Sequence, residues 1–252
     1  MFLYVGLWTK KGWPMGLRKI ILSFILIISI SLLSGCLYPQ DKLAQNQVPY
    51  DDQIQTVQTA VNKFQKDNDG ILPIKTEEKS TSIYEKYPID FNKLIQGRYM
   101  SEPPGNSYEN GGIFQYVIIN AETKPTVKIF DLRIAEKIRD IRIRITAQGY
   151  PPFEKQVAYN VYTLNFKKLG YNGDQYVVSP YTNNNLPLVI NGSGDIFVDY
   201  RLDLYQALKK EHASYKQGDD IRGILTKNSS FVPAYSLPYT INKKNEPVFL
   251  TK

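Results

Sequence analysis

Cysteine occurs once in this chain of 252 residues, at Cys36, and histidine once, at His212. One thiol supports neither an intramolecular disulfide framework nor a cysteine metal centre. One imidazole, set in the solvent-type run Lys209-Lys210-Glu211-His212, offers little for Ser–His or Cys–His nucleophilic chemistry. No Gly-x-Ser-x-Gly elbow and no phosphate-binding glycine loop is present. Acidic residues are absent from the first 35 positions. These gaps argue against an enzyme, and no cofactor is expected.

What the first 35 residues do contain is ordered. Lys10, Lys11, Arg18 and Lys19 form a positive region, and Ile20 to Leu33 is apolar apart from Ser23, Ser29 and Ser31. Fourteen residues as a helix span about 21 Å, short of the ~30 Å hydrocarbon core of a bilayer. The pattern is that of a secretory signal peptide rather than a membrane-spanning anchor. It ends in Leu33-Ser34-Gly35-Cys36, which resembles the bacterial lipobox. That resemblance implies cleavage before Cys36 and a diacylglyceryl group on its thiol, with Leu33, Ser34 and Gly35 as the cleavage motif. In a Gram-positive cell the protein would then be held on the outer face of the plasma membrane. Met15-Gly16-Leu17-Arg18-Lys19 is a second start for a compact signal, so residues 1–14 read as an over-extended gene start.

Removal of the signal changes the charge balance. Four of the 31 Lys and Arg residues lie within it, leaving 27 against 24 acids and a net charge near +3 instead of +7. Nucleic acid is therefore not the expected partner. Residues 36–50 read as a lipidated polar tether.

The fold expected is α+β, with two or three tandem units of one amphipathic helix packed on a small antiparallel sheet. The first unit covers 51–125, the second 126–200, and 201–252 holds a third copy in outline. Asp51 suits a helix N-cap, followed by Ile54, Val57, Val61 and Phe64 at helical spacing and an end near Gly70. Asp131 suits a second cap, followed by Ile134, Ile138, Ile141 and Ile145 up to Gly149. Phe91-Asn92-Lys93-Leu94 and Phe166-Lys167-Lys168-Leu169 recur 75 residues apart. Leu186–Ile190 and Asp195–Tyr200, flanking Asn191-Gly192-Ser193-Gly194, form a hairpin signal. In the last segment Leu202, Tyr205, Leu208 and His212 share one side of a helix. The stretch from Val61 to Pro73 resembles the helix end of pseudopilin soluble heads, and the whole chain is similar to uncharacterised cell-surface lipoproteins of bacillus-type bacteria. The pilin processing site is missing, so pilus assembly is not implied.

Two charged sets remain. Asp67-Asn68-Asp69-Gly70 with Glu78 mimics an EF-hand, but the position that needs glycine is Leu72. Asn191, Asp195 and Asp199 offer oxygen atoms of the kind calcium takes, yet read as solvated hairpin residues, so no metal is expected. The second helix carries Arg133, Lys137, Arg139, Arg142 and Arg144, a candidate surface for anionic lipid headgroups or phosphate-rich wall polymers. The reading is a non-enzymatic, lipid-anchored scaffold or binding module at the membrane–wall boundary. Its partners would be the membrane, through Cys36, and a wall polymer or a membrane or wall protein. The alternative is a solute-binding lipoprotein of a transporter. A wall hydrolase would need two convergent carboxylates that the sequence does not identify.

Overall fold

The computed structural model describes residues 50–75, 81–212 and 214–251. Helix α1 (Tyr50–Asp67) carries Asp51 and Asp52 in its first turn, where the helix dipole favours negative charge. Its Val57, Ala60, Val61 and Phe64 are buried, the i, i+3, i+4, i+7 stripe of an amphipathic helix. The chain leaves α1 through Gly70, whose φ of 86° suits a residue without a Cβ. Ile74 then bridges Ile89, and Asp90 caps the short helix α2 (Phe91–Gln96) by accepting the Asn92 N–H. Strands β1 (Phe114–Ile119) and β2 (Thr126–Asp131) form an antiparallel hairpin in unbroken register, from Phe114 opposite Asp131 to Ile119 opposite Thr126.

That hairpin is buried on both faces. Tyr116, Ile118, Val127 and Ile129 pack with the apolar stripe of α1, with Phe91 and with Leu94. Val117, Ile119 and Phe130 pack on the other side with Tyr84, Val232 and Ala234. Each Ile or Leu so enclosed contributes about 1.5–3 kcal/mol of burial.

Helix α3 (Leu132–Gln148) follows β2 without a loop. Asp131 accepts the Arg133 N–H as its N-cap, and Gly149, at φ 89°, closes it with its N–H on the Ile145 carbonyl. Strands β3 (Phe153–Ala158), β4 (Val161–Leu164), β5 (Tyr176–Val178), β6 (Asn185–Asn191) and β7 (Ile196–Val198) make an antiparallel sheet with β6 at its centre. Ile134, Ile138 and Ile141 of α3 pack against Val161, Leu164, Leu186, Leu188 and Ile190 of that sheet. Helix α4 (Arg201–Glu211), helix α5 (Gly223–Lys227) and the hairpin of β8 (Tyr239–Ile241) and β9 (Pro247–Phe249) complete the chain.

One order recurs in outline: a helix, a segment that bonds alongside a later hairpin, a short helical turn and that hairpin. In the first round Pro88, just before α2, bridges Val117 of β1, with the Ile89 N–H on the Tyr116 carbonyl. In the second, β4 lies along β6, and the turn is Phe166–Leu169, capped by Asn165. In the third, the Ile221 N–H bonds the Tyr239 carbonyl of β8 just before α5. Both Phe-x-Lys-Leu segments are thus short helical turns that bury their Phe and Leu.

Two expectations shift. A boundary between residues 125 and 126 would cut the β1–β2 hairpin; the hand-over to the second helix falls after Asp131, because β2 runs in unbroken register with β1 to that residue. Residues 201–252 do not stand apart either. Leu204, Leu208, Ile221, Ile224, Leu225, Tyr239 and Phe249 share the core of the α3 sheet. On α4 the buried side carries Leu204 and Leu208, whereas Leu202 and Tyr205 are 41% and 38% exposed.

Candidate binding surfaces

Cys36, Leu33, Ser34 and Gly35 lie outside the described residues. The five basic residues of α3 are described, and they divide into two sets. Arg133 closes a two-pronged ion pair on Asp131, with Nη2 2.6 Å from Oδ2. Lys137 donates to the Gln175 side chain at 2.6 Å. Arg144 pairs with Asp140, donates to the Leu169 carbonyl and stacks on the Tyr171 ring at 4.2 Å. Lys137 and Arg144 fasten α3 to the segment after the Phe166 turn, whereas Arg133 is held locally at the helix cap. Tyr171 in turn donates its hydroxyl to Asp140, which holds that carboxyl below its ordinary range. Arg139 and Arg142 are exposed, and among the described residues neither guanidinium has an ion pair or hydrogen bond. The expected five-residue polyanion surface is therefore a pair.

The pair sits on a defined face. Arg139, Arg142, Ile143 and Thr146 are spaced i, i+3, i+4, i+7 and all are exposed, opposite the buried isoleucine stripe. Ile143 is 61% exposed and Tyr150, just past the helix end, 58%.

A cleft of about 790 Å³ opens where α4, the β5–β6 loop, the start of α1 and residues 228–231 meet. From α4 it receives Asp203, Gln206, Ala207 and Lys210, again one helical face. Asp203 is buried, and its carboxylate accepts hydroxyls from Ser179 at 2.8 Å and Thr182 at 2.7 Å. Burial raises its pKa, and the two hydroxyl donors oppose the rise. The Lys128 ammonium on the far wall bonds the Ser229 carbonyl, and burial pulls its pKa down against the attraction of Asp51. Tyr181 also lines the cleft, and its hydroxyl is enclosed and without a hydrogen-bond partner among the described residues.

The sequence reading missed this cleft. Its residues come from five separate segments, and the only local hint was an aspartate on the inward half of a helix.

The hairpin oxygens set aside as a calcium site bind protein groups. Asn191 and Asp195 hydrogen-bond each other across the turn, and Asp199 accepts two prongs from Arg201. Among the described residues no group of three or more His, Cys, Asp or Glu is placed to hold a metal ion. His212 is the exposed left-handed cap of α4. Among the same residues no helix is long and apolar enough to cross a membrane.

A second pattern unnoticed in the sequence is Asp-x-Arg at three helix starts. Asp131-Leu132-Arg133, Asp199-Tyr200-Arg201 and Asp220-Ile221-Arg222 each place a carboxylate that accepts the N–H two residues on and grips the same residue's guanidinium. Arg222 is the deepest, 8% exposed, bonded to the Ser236 carbonyl and set over the Tyr84 ring at 5.0 Å.

Residues 50–131 match the YphF family N-terminal domain. The matched stretch runs from the first residue of α1 to the last of β2, so it coincides with the first helix-plus-hairpin round. No curated protein and no solved structure matches the chain.

Proposed function

We propose that this protein is a non-enzymatic, lipid-anchored binding module on the extracytoplasmic face of the plasma membrane, where it engages a wall polymer or a membrane or wall protein. One observation carries the reading: the apolar run Ile20–Leu33 ends on Leu33-Ser34-Gly35-Cys36, and no other cysteine exists. The polar segment 37–49 fits a tether between lipid and folded domain. The helix end resembling pseudopilin heads would then serve in a protein fixed by lipid rather than assembled into a pilus. The test is metabolic labelling with a palmitate analogue, followed by fractionation. Wild-type protein should label and stay with membranes, and Cys36→Ala should do neither. Labelling of Cys36→Ala would refute the reading.

The cleft favours a second reading, a solute-binding lipoprotein serving a transporter, because about 790 Å³ is room for a small polar solute. Its mark would be a saturable rise in melting temperature with one small solute, about 2.7 kcal/mol at a hundredfold excess over Kd. A panel of amino acids, sugars and short peptides without any shift would count against it.

A further inference from the structure

We infer that the outer face of α3, built on Arg139, Arg142, Ile143 and Tyr150, is a second membrane contact that lays the anchored domain on an anionic lipid surface. The inference rests on the lipid-anchor reading and adds an orientation to it.

Three observations converge. Arg133, Lys137 and Arg144 are engaged within the fold, so their charges are spoken for, whereas Arg139 and Arg142 present unpaired guanidinium groups among the described residues. Exposed apolar side chains accompany them, Ile143 at 61% on the same helical face and Tyr150 at 58% just past the helix end. Basic groups flanked by an aliphatic and an aromatic side chain suit the headgroup–acyl boundary, where the cations meet phosphates and the apolar parts enter below. A soluble wall polymer would use the charges but leave Ile143 and Tyr150 in water, which is why lipid is the better occupant.

The tether makes such a weak contact effective. Thirteen residues from Leu37 to Pro49 reach at most about 45 Å, against a radius of gyration of about 16 Å for a domain of this size. Faces of the domain within that reach can turn to the bilayer, where the local concentration of lipid is already high. Orientation then falls to whichever face binds best. Each basic side chain close to an anionic surface is worth about fivefold in the docked-to-undocked ratio, so the pair gives about 25-fold.

The test uses the full lipidated chain in vesicles, with an environment-sensitive dye on Thr146→Cys, at the centre of the face; the native thiol is occupied by lipid. In phosphatidylglycerol vesicles at low salt the dye should shift to the blue and be quenched by an acyl-chain quencher. The signal should fade at high salt and in phosphatidylcholine vesicles. Arg139→Gln with Arg142→Gln should lower the docked-to-undocked ratio about 25-fold without changing the melting curve, because neither side chain holds the fold together. A dye that reports the same environment in both lipids, or one indifferent to the double variant, overturns the inference. So does a response to soluble polyphosphate with none to anionic vesicles. A chain that co-floats with vesicles while its dye stays in water refutes this inference alone. A chain that fails to co-float at all refutes the anchor beneath it.

Discussion

Removing one phenolic oxygen should have opposite consequences at two neighbouring tyrosines whose rings lie 6.2 Å apart. Tyr200 is fully buried and donates its hydroxyl to the Ala234 carbonyl at 3.1 Å. That bond ties the start of α4 to the segment that packs on the back of the β1–β2 hairpin. Tyr200→Phe keeps the ring but leaves a buried carbonyl without this donor, at a cost of about 1–3 kcal/mol. Tyr181 has a hydroxyl equally removed from water, with no partner among the described residues. Tyr181→Phe removes an unpaired polar group, and the expected change lies between zero and about 1 kcal/mol of added stability. Tyr239→Phe extends the series. Its oxygen both donates to the Val198 carbonyl and accepts the Tyr200 N–H, so roughly twice the Tyr200 effect is expected. Urea unfolding of the detergent-solubilised chain, followed by tyrosine fluorescence, gives the free energies at constant m-value. For a chain of this length, each kcal/mol moves the melting temperature by about 2–4 °C. Equal destabilisation by Tyr181→Phe and Tyr200→Phe would refute the reasoning, because shape loss alone would then explain both.

Other consequences follow from the same contacts. Asp131→Ala should destabilise by about 0.5–2 kcal/mol through loss of the α3 cap, and Asp131→Asn, which keeps an acceptor, should recover most of it in the same unfolding assay. Gly112→Ala places a Cβ against the backbone of Asn106, a collision with main chain that should cost about 1–3 kcal/mol and lower the melting temperature. Glu85 accepts the Tyr235 N–H at 2.7 Å, and its pKa is raised chiefly by burial. A folded-state pKa above the unfolded one means that the native protein binds the extra proton. Its contribution is therefore full below the unfolded value and is lost as pH rises through the folded one. Glu85→Gln keeps the acceptor for Tyr235, so stability measured across the carboxylate range should fall less steeply with rising pH than in wild type.

Local signals were legible where one segment decides its own structure. The α1 and α3 stripes, the Asp131 cap, the Gly70 and Gly149 ends and the β6–β7 hairpin all follow from spacing and from residues with strong backbone preferences. The α4 stripe misled because an aspartate takes an inward position. Asp203 can do so only with Ser179 and Thr182 donating to it from another segment, and no spacing within α4 encodes that. The boundary after Asp131 was hidden for a related reason. Thr126–Asp131 runs straight into the second helix, and only its register with Phe114–Ile119 ties it to the first hairpin. The three Asp-x-Arg grips were visible as letters. Their meaning needed the helix starts, since the aspartate must precede a helical N–H to accept it. On α3 nothing local in the sequence tells the five basic residues apart, and the fold separates them by supplying Gln175, Tyr171 and Leu169 as partners for Lys137 and Arg144.

The central claim is that Cys36 is the lipid-bearing N-terminus of the mature protein. Mass spectrometry of the N-terminal peptide, from protein extracted out of membranes with detergent and digested, tests it directly. The account predicts a peptide beginning at Cys36 and carrying the mass of a diacylglyceryl group on its thiol. A membrane-extracted protein whose N-terminal peptide begins upstream of Cys36, with an unmodified thiol, would contradict it.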